Sequence, residues 1–177
     1  MSDKSIVKAM DIREALLAEH SRSQTMKIVR HIDGDPDRFA ELMGHFLGPT
    51  YRLSQRAAWV VNYCIEHQPQ LIEPYWSRLV KRLDSDDAHV AVRRNIARLL
   101  QFVHIPKRYE GRIFDACYDL FADPAEPVAV RVFSMTVAAN IAKDKPELLD
   151  ELRIVAKQHP EAVTAGFRSR ARRVLGV

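Results

Sequence analysis

The sequence predicts an all-α chain built as a stack of about five helix pairs, and three observations carry that expectation. Proline opens an apolar-periodic stretch four times, at Pro36, Pro69, Pro106 and Pro146. An arginine recurs one residue into a second set of such stretches, at Arg56, Arg93, Arg131 and Arg168, in steps of 37, 38 and 37 residues. The 177 residues include only six glycines, few for the many tight turns of an all-β protein. Self-similarity at 33–40 residues is the mark of stacked two-helix units.

The elements follow in order. Proline suits the first position of a helix, where its missing N–H would have had no partner. "DPDRFAELMGHFL", "HQPQLIEPYWSRL", "HIPKRYEGRIF" and "DKPELLDELRIV" therefore open first helices. With the N-terminal unit added, first helices are expected at about 11–19, 36–47, 69–83, 106–122 and 146–158. The arginine-bearing stretches give second helices at about 52–67, 89–104, 128–143 and 164–176, after a first one at 21–32. "DGDP", "LGPT", "DSDD", "ADPAEP" and "KDKP" break the pattern between them. The N-terminal unit is shorter and weaker, as befits a terminal repeat that caps a stack.

No linker or low-complexity stretch divides the chain, so residues 1–177 are expected to form a single repeat domain. A hydrophobic content of 47% and a charged content of 28% are those of an ordinary globular protein. Two cysteines, Cys64 and Cys117, are too few for a disulfide framework, and both fall inside apolar helical patterns as buried thiols. The longest apolar run is short, which excludes a membrane span, and "MSDKSIVKAM" lacks the apolar region of a signal peptide. The expected location is cytoplasmic.

Motifs of chemistry are mostly missing. The chain has no G-x-G-x-x-G, phosphate-loop, G-x-S-x-G or H-E-x-x-H pattern. Cys64 and His67 lie three apart on one helix, a metal half-site without a second pair, so no metal is expected. Asp86/Asp87 and Asp150/Glu151 are paired carboxylates in polar turns or on a solvated face, where nothing tunes them for acid–base work. Trp59, Tyr63, Tyr75 and Trp76 cluster in one unit; at helical spacing most are expected in the core, although such a cluster can also stack a base. No catalytic residue and no cofactor are expected.

"DSDDAHVAVRRNIARLL" and "ADPAEPVAVRVFSMTVAANIA" place an acidic turn before "VR" and an apolar helix. This resembles the HEAT-repeat pattern, over four units from roughly 36 to 177. "YRLSQRAAWVVNYC" and "AGFRSRARRVL" extend the likeness to a group of small bacterial HEAT-like (ARM-type) proteins. The resemblance implies a right-handed α-α superhelix, with second helices lining its concave surface. Some chains of this kind bear an adenylosuccinate-lyase name; the serine loop of that enzyme, GSSxMPxKxN, has no match here. One HEAT-like family consists of DNA alkyl-base glycosylases, which use a catalytic acid with aromatic walls; Glu66 is the lone interior carboxylate of the second helices here.

Charge is the distributed signal. The net value is +4, but the second helices as bounded above carry +13 and the first helices −2. Uneven charge of this kind constrains partners more than the net value does. In 89–104 the expected core stripe is Val92, Ile96, Leu99, Leu100 and Val103, with Arg94, Arg98 and Gln101 pointing away. In 164–176 the stripe is Phe167, Ala171, Val174 and Leu175, with Arg170, Arg172 and Arg173 outside it. These six polar residues form the expected binding face. Arg56, Arg93, Arg131 and Arg168 are expected as a structural ladder with turn acids such as Asp86 and Glu126, as in HEAT arrays. The expected function is a non-enzymatic scaffold that takes an acidic protein or peptide on a basic concave face. The alternative is a nucleic-acid-binding module.

Overall fold

The structure is a computed structural model; it describes residues 10–85, 88–158 and 164–177. The all-α expectation holds: helix makes up 78% of the described residues, which contain ten α-helices and no strand. They are α1 (Ile12–Ala18), α2 (Arg22–Ile32), α3 (Pro36–Phe46), α4 (Tyr51–His67) and α5 (Trp76–Leu83), followed by α6 (Val90–Leu100), α7 (Lys107–Ala122), α8 (Val128–Ile141), α9 (Pro146–Gln158) and α10 (Ala165–Leu175).

The starts follow local chemistry. Asp11, Ser21 and Thr164 cap α1, α2 and α10 by accepting from backbone N–H groups three residues on. Asp35 caps α3 by accepting from the N–H groups of Asp37 and Arg38, and Pro36 takes the first helical position. The link between α2 and α3 is made by two residues in left-handed conformation, Asp33 at φ 40° and Gly34 at φ 76°. Gly34 bears this turn because it has no side chain to clash, whereas Asp33 is one of the few residue types that tolerate it.

Three boundaries differ from the sequence reading. Pro69 opens a 3-10 segment, Pro69–Tyr75, and the α-helix begins only at Trp76. Pro74 lies inside that segment, where it offers no N–H and would collide with the carbonyl four residues back in an α-helix. Pro106 caps α7 in extended conformation instead of standing inside it. α6 stops at Leu100 rather than near 104, where the Phe102 N–H turns back to the Leu99 carbonyl at 3.1 Å. Val103 is thereby only half-buried, Ile105 is buried in its place, and Phe102 is left 77% exposed.

The chain divides into two compact units, Met1–Leu71 and Ile72–Val177. In the first, α4 is the hub and packs on α1, α2 and α3. Its buried face is Leu53, Ser54, Ala57, Ala58, Val60, Val61, Cys64 and Ile65. In the second, α8 is the hub, packed on α6, α7, α9 and α10. It buries both sides of itself, including Arg131 at 1% exposure. Tyr75 and Trp76 are core residues as expected, whereas Trp59 is 38% exposed and stacks at a tilt on His20. Among the described residues no helix is long and apolar enough to cross a membrane.

Candidate functional site

The second helices of the larger unit set the stage. α6 and α10 both pack on α8. Together these three helices carry eight arginines and not one lysine, aspartate or glutamate: three on α6, one on α8 and four on α10. By contrast, α7 and α9 carry Glu110, Asp115, Asp119, Glu147, Asp150 and Glu151.

The four marker arginines take different partners. Arg93 pairs with Glu126 at 2.9 Å, both side chains being largely buried. Arg131 donates from Nε to the Phe121 carbonyl at 3.0 Å, near the end of α7, and its guanidinium lies 4.8 Å over the Phe167 ring. Burial lowers its pKa, and the carboxylate of Asp123 opposes that shift. Arg56 donates to the Leu16 and Leu17 carbonyls at 2.7 and 3.0 Å, so it serves the end of α1. Arg168 is exposed at the start of α10. The carboxylates of Asp86 and Asp87 lie outside the described residues. The common role for Arg56 and Arg131 is to satisfy carbonyls at a helix end, which have no intrahelical donor.

Of the six residues expected on the binding face, the structure joins two side chain to side chain, Arg170 and Gln101. Arg170 donates from one terminal nitrogen to the Gln101 side-chain oxygen and to the Thr136 hydroxyl, each at 2.9 Å. Gln101 in turn donates to the Arg98 carbonyl at 3.1 Å, and Thr136 to the Val132 carbonyl at 2.9 Å. One guanidinium is thus tied to α8 and to the end of α6 while standing on α10. Its other two nitrogens make no hydrogen bond with a described residue. Burial lowers its pKa first, with the charge of Arg173 adding to it. Arg98, Arg172 and Arg173 are exposed and Arg94 half-buried; together with Arg170 they make no ion pair among the described residues.

Beside Arg170 an open groove of about 560 Å³ runs between α8 and α10. Val128, Ala129, Val132 and Phe133 line it from α8, and Gly166 and Ser169 line it from α10. Arg170 and Arg173 complete the lining. Sequence reading missed the α8 wall. The available signal was the composition of α8 itself, apolar on nearly every side, so that one apolar face had to end up outside the core.

In the smaller unit, Cys64 and His67 line a cavity of about 230 Å³ with Arg30, Asp33 and Gln68. Among the described residues no group of three or more His, Cys, Asp or Glu side chains is placed to hold a metal. The Cys64 thiol is buried and its pKa is pushed up to about 12, which makes it a poor nucleophile and a poor ligand.

A family model described as a HEAT repeat domain fits residues 12–176. No curated protein and no solved structure matches significantly.

Proposed function

The chain belongs to the HEAT repeat family, a class of repeat-based scaffold and binding modules, and we propose that it is a non-enzymatic module that holds an acidic protein or peptide segment on the arginine face of α6, α8 and α10. One observation carries this reading: eight arginines and no carboxylate on three adjacent helices, five of them, besides the buried Arg131, without an ion pair among the described residues. Like charges gathered at this density repel one another, so an anionic partner that relieves the repulsion gains affinity. The choice of arginine over lysine matters too. A guanidinium presents a planar fork that fits a carboxylate or phosphate in two-point fashion, and it tolerates partial burial.

A carboxylate partner is favoured over a phosphate backbone by the surroundings of Arg170. A nucleic-acid surface rests on cations that track phosphates, whereas here a guanidinium fixed by two hydrogen bonds stands beside four apolar side chains. The test is a pair of anisotropy titrations at low salt, one with a labelled oligoglutamate peptide and one with an oligothymidylate. The reading requires saturable binding of the peptide. Binding of the oligonucleotide alone, with log affinity falling against log salt by about 0.7 per phosphate contacted, would replace it with the nucleic-acid alternative.

A further inference from the structure

We propose that the groove between α8 and α10 is a socket for one apolar side chain of the partner segment, and that Arg170 receives a carboxylate next to that side chain. This rests on the reading that an acidic segment binds the arginine face, and it adds what that segment must contain.

Three features argue for it. First, the groove is chemically two-sided. Val128, Val132 and Phe133 are half-buried and Ala129 is exposed, so this wall keeps apolar surface in water that an apolar side chain would cover. Second, Arg170 is already fixed before any partner arrives. Its hydrogen bonds to Gln101 and Thr136 use one terminal nitrogen, and the others remain to meet a carboxylate. Holding the fork in place in advance removes part of the ordering cost of binding. Third, the facing wall is built small. Gly166 and Ser169 stand where larger residues would close the groove. The space at Gly166 is empty: a Cβ there would meet only the Thr164 hydroxyl, at 3.9 Å. Gly166 stands at the second position of α10, and no positive φ requires a glycine there.

Charge selects the occupant. Arg170 and Arg173 line the groove with no acidic side chain among the lining residues, so an apolar side chain flanked by cations is disfavoured and one flanked by carboxylates is favoured. The specific partner is therefore a protein segment that carries an aliphatic or aromatic residue beside Asp or Glu.

The test uses three labelled probes on the full chain: oligoglutamate with one central leucine, the same peptide with alanine in that place, and oligothymidylate. The leucine peptide is expected to bind about tenfold tighter than the alanine peptide, a modest fraction of what full burial of leucine provides. Gly166→Leu fills the groove and is expected to abolish that tenfold preference. Helicity and melting of Gly166→Leu report whether the fold survives, and Gly166→Ala, which adds a single methyl, serves as a second variant with an intermediate preference. Arg170→Gln is expected to weaken both acidic peptides. Equal affinity of wild type for the two peptides, or a preference that persists in Gly166→Leu, overturns the socket and leaves the acidic-segment reading standing. Failure of both acidic peptides to bind overturns that reading and the socket together.

Discussion

The two hub helices carry the same arginine marker and use it differently. In α8, Arg131 lies within the buried face and ties down the end of α7, the first helix of its own pair. In α4, Arg56 sits just before the buried pair Ala57 and Ala58 and reaches α1 instead. The task that Arg131 performs falls in α4 to Ser54, whose hydroxyl donates to the carbonyl of Phe46, the last residue of α3, at 2.6 Å. The burial pattern explains the change. Relative to the arginine, α8 buries the positions three and seven residues on, Ser134 and Ala138. The corresponding residues of α4 are Trp59, exposed, and Tyr63, half-buried, because the buried positions there are Val60 and Cys64. One residue is about 100° of helix rotation. A conserved spacing of markers thus fixes which helix follows which, but not the phase with which each helix meets its neighbours.

The largest expected effect tests that phase. Ile96→Ala, at the matching position of α6 and fully buried, should cost about 2–5 kcal/mol by opening a cavity. Trp59→Ala removes a larger side chain yet should cost roughly 1 kcal/mol or less, since much of it already meets water. Denaturant titration of both variants checks the order, and a Trp59 loss equal to that of Ile96 would mean that α4 meets its neighbours in the phase of α6 after all.

A smaller difference is expected between the arginines themselves. Arg131→Ala leaves the Phe121 carbonyl unpaired and a void beside Phe167, with a cost of about 2–4 kcal/mol. Arg131→Met, which refills the volume, should recover part of it. Arg56→Ala should cost about 1 kcal/mol, because Arg56 is only half-buried and water can take the place of its guanidinium at the end of α1. Equal losses would remove the distinction drawn between the hubs.

The smallest effect sharpens a point on which the two units agree. Burial pushes the pKa of both Cys64 and Cys117 up to about 12, from an ordinary value near 9.0. A raised pKa stabilises the fold below the unfolded value and loses that contribution as pH rises toward the folded one. Stability should therefore fall between about pH 9 and pH 12, and less so in Cys117→Ala, once the cost of the substitution at neutral pH is subtracted. Below that window both thiols should resist alkylation in the native state, as thiol titration with and without denaturant would report.

Much of the fold was legible because its signals are local. Proline and capping residues mark the starts of α3 and α9, and the burial of Val92, Ile96, Leu99 and Leu100 follows helical periodicity in α6. Errors arose where a second constraint overrode the pattern, as with Pro74 inside the segment opened by Pro69, or where the chain turned early, as at Leu100, short of the stripe through Val103. The candidate site was half legible. The arginines outside the apolar stripes could be named from spacing alone. That Gln101 and Thr136 would hold Arg170, and that Val132 and Phe133 would face a groove rather than the core, depends on how α6, α8 and α10 pack, which no spacing within one helix encodes.

Charge reversal in matched sets tests most directly whether the arginine face is the working surface. One variant replaces Arg94, Arg98, Arg172 and Arg173 with glutamate; the control replaces Arg22, Lys27, Arg30 and Arg52, exposed cations of α2 and α4, in the same way. Both change the net charge equally, so long-range attraction alone affects them alike. Anisotropy titration with the acidic leucine peptide should show binding lost in the first variant and largely retained in the control, with helicity unchanged in both. Loss in the control with retention in the first variant, or equal loss in the two, would contradict the assignment of binding to α6, α8 and α10.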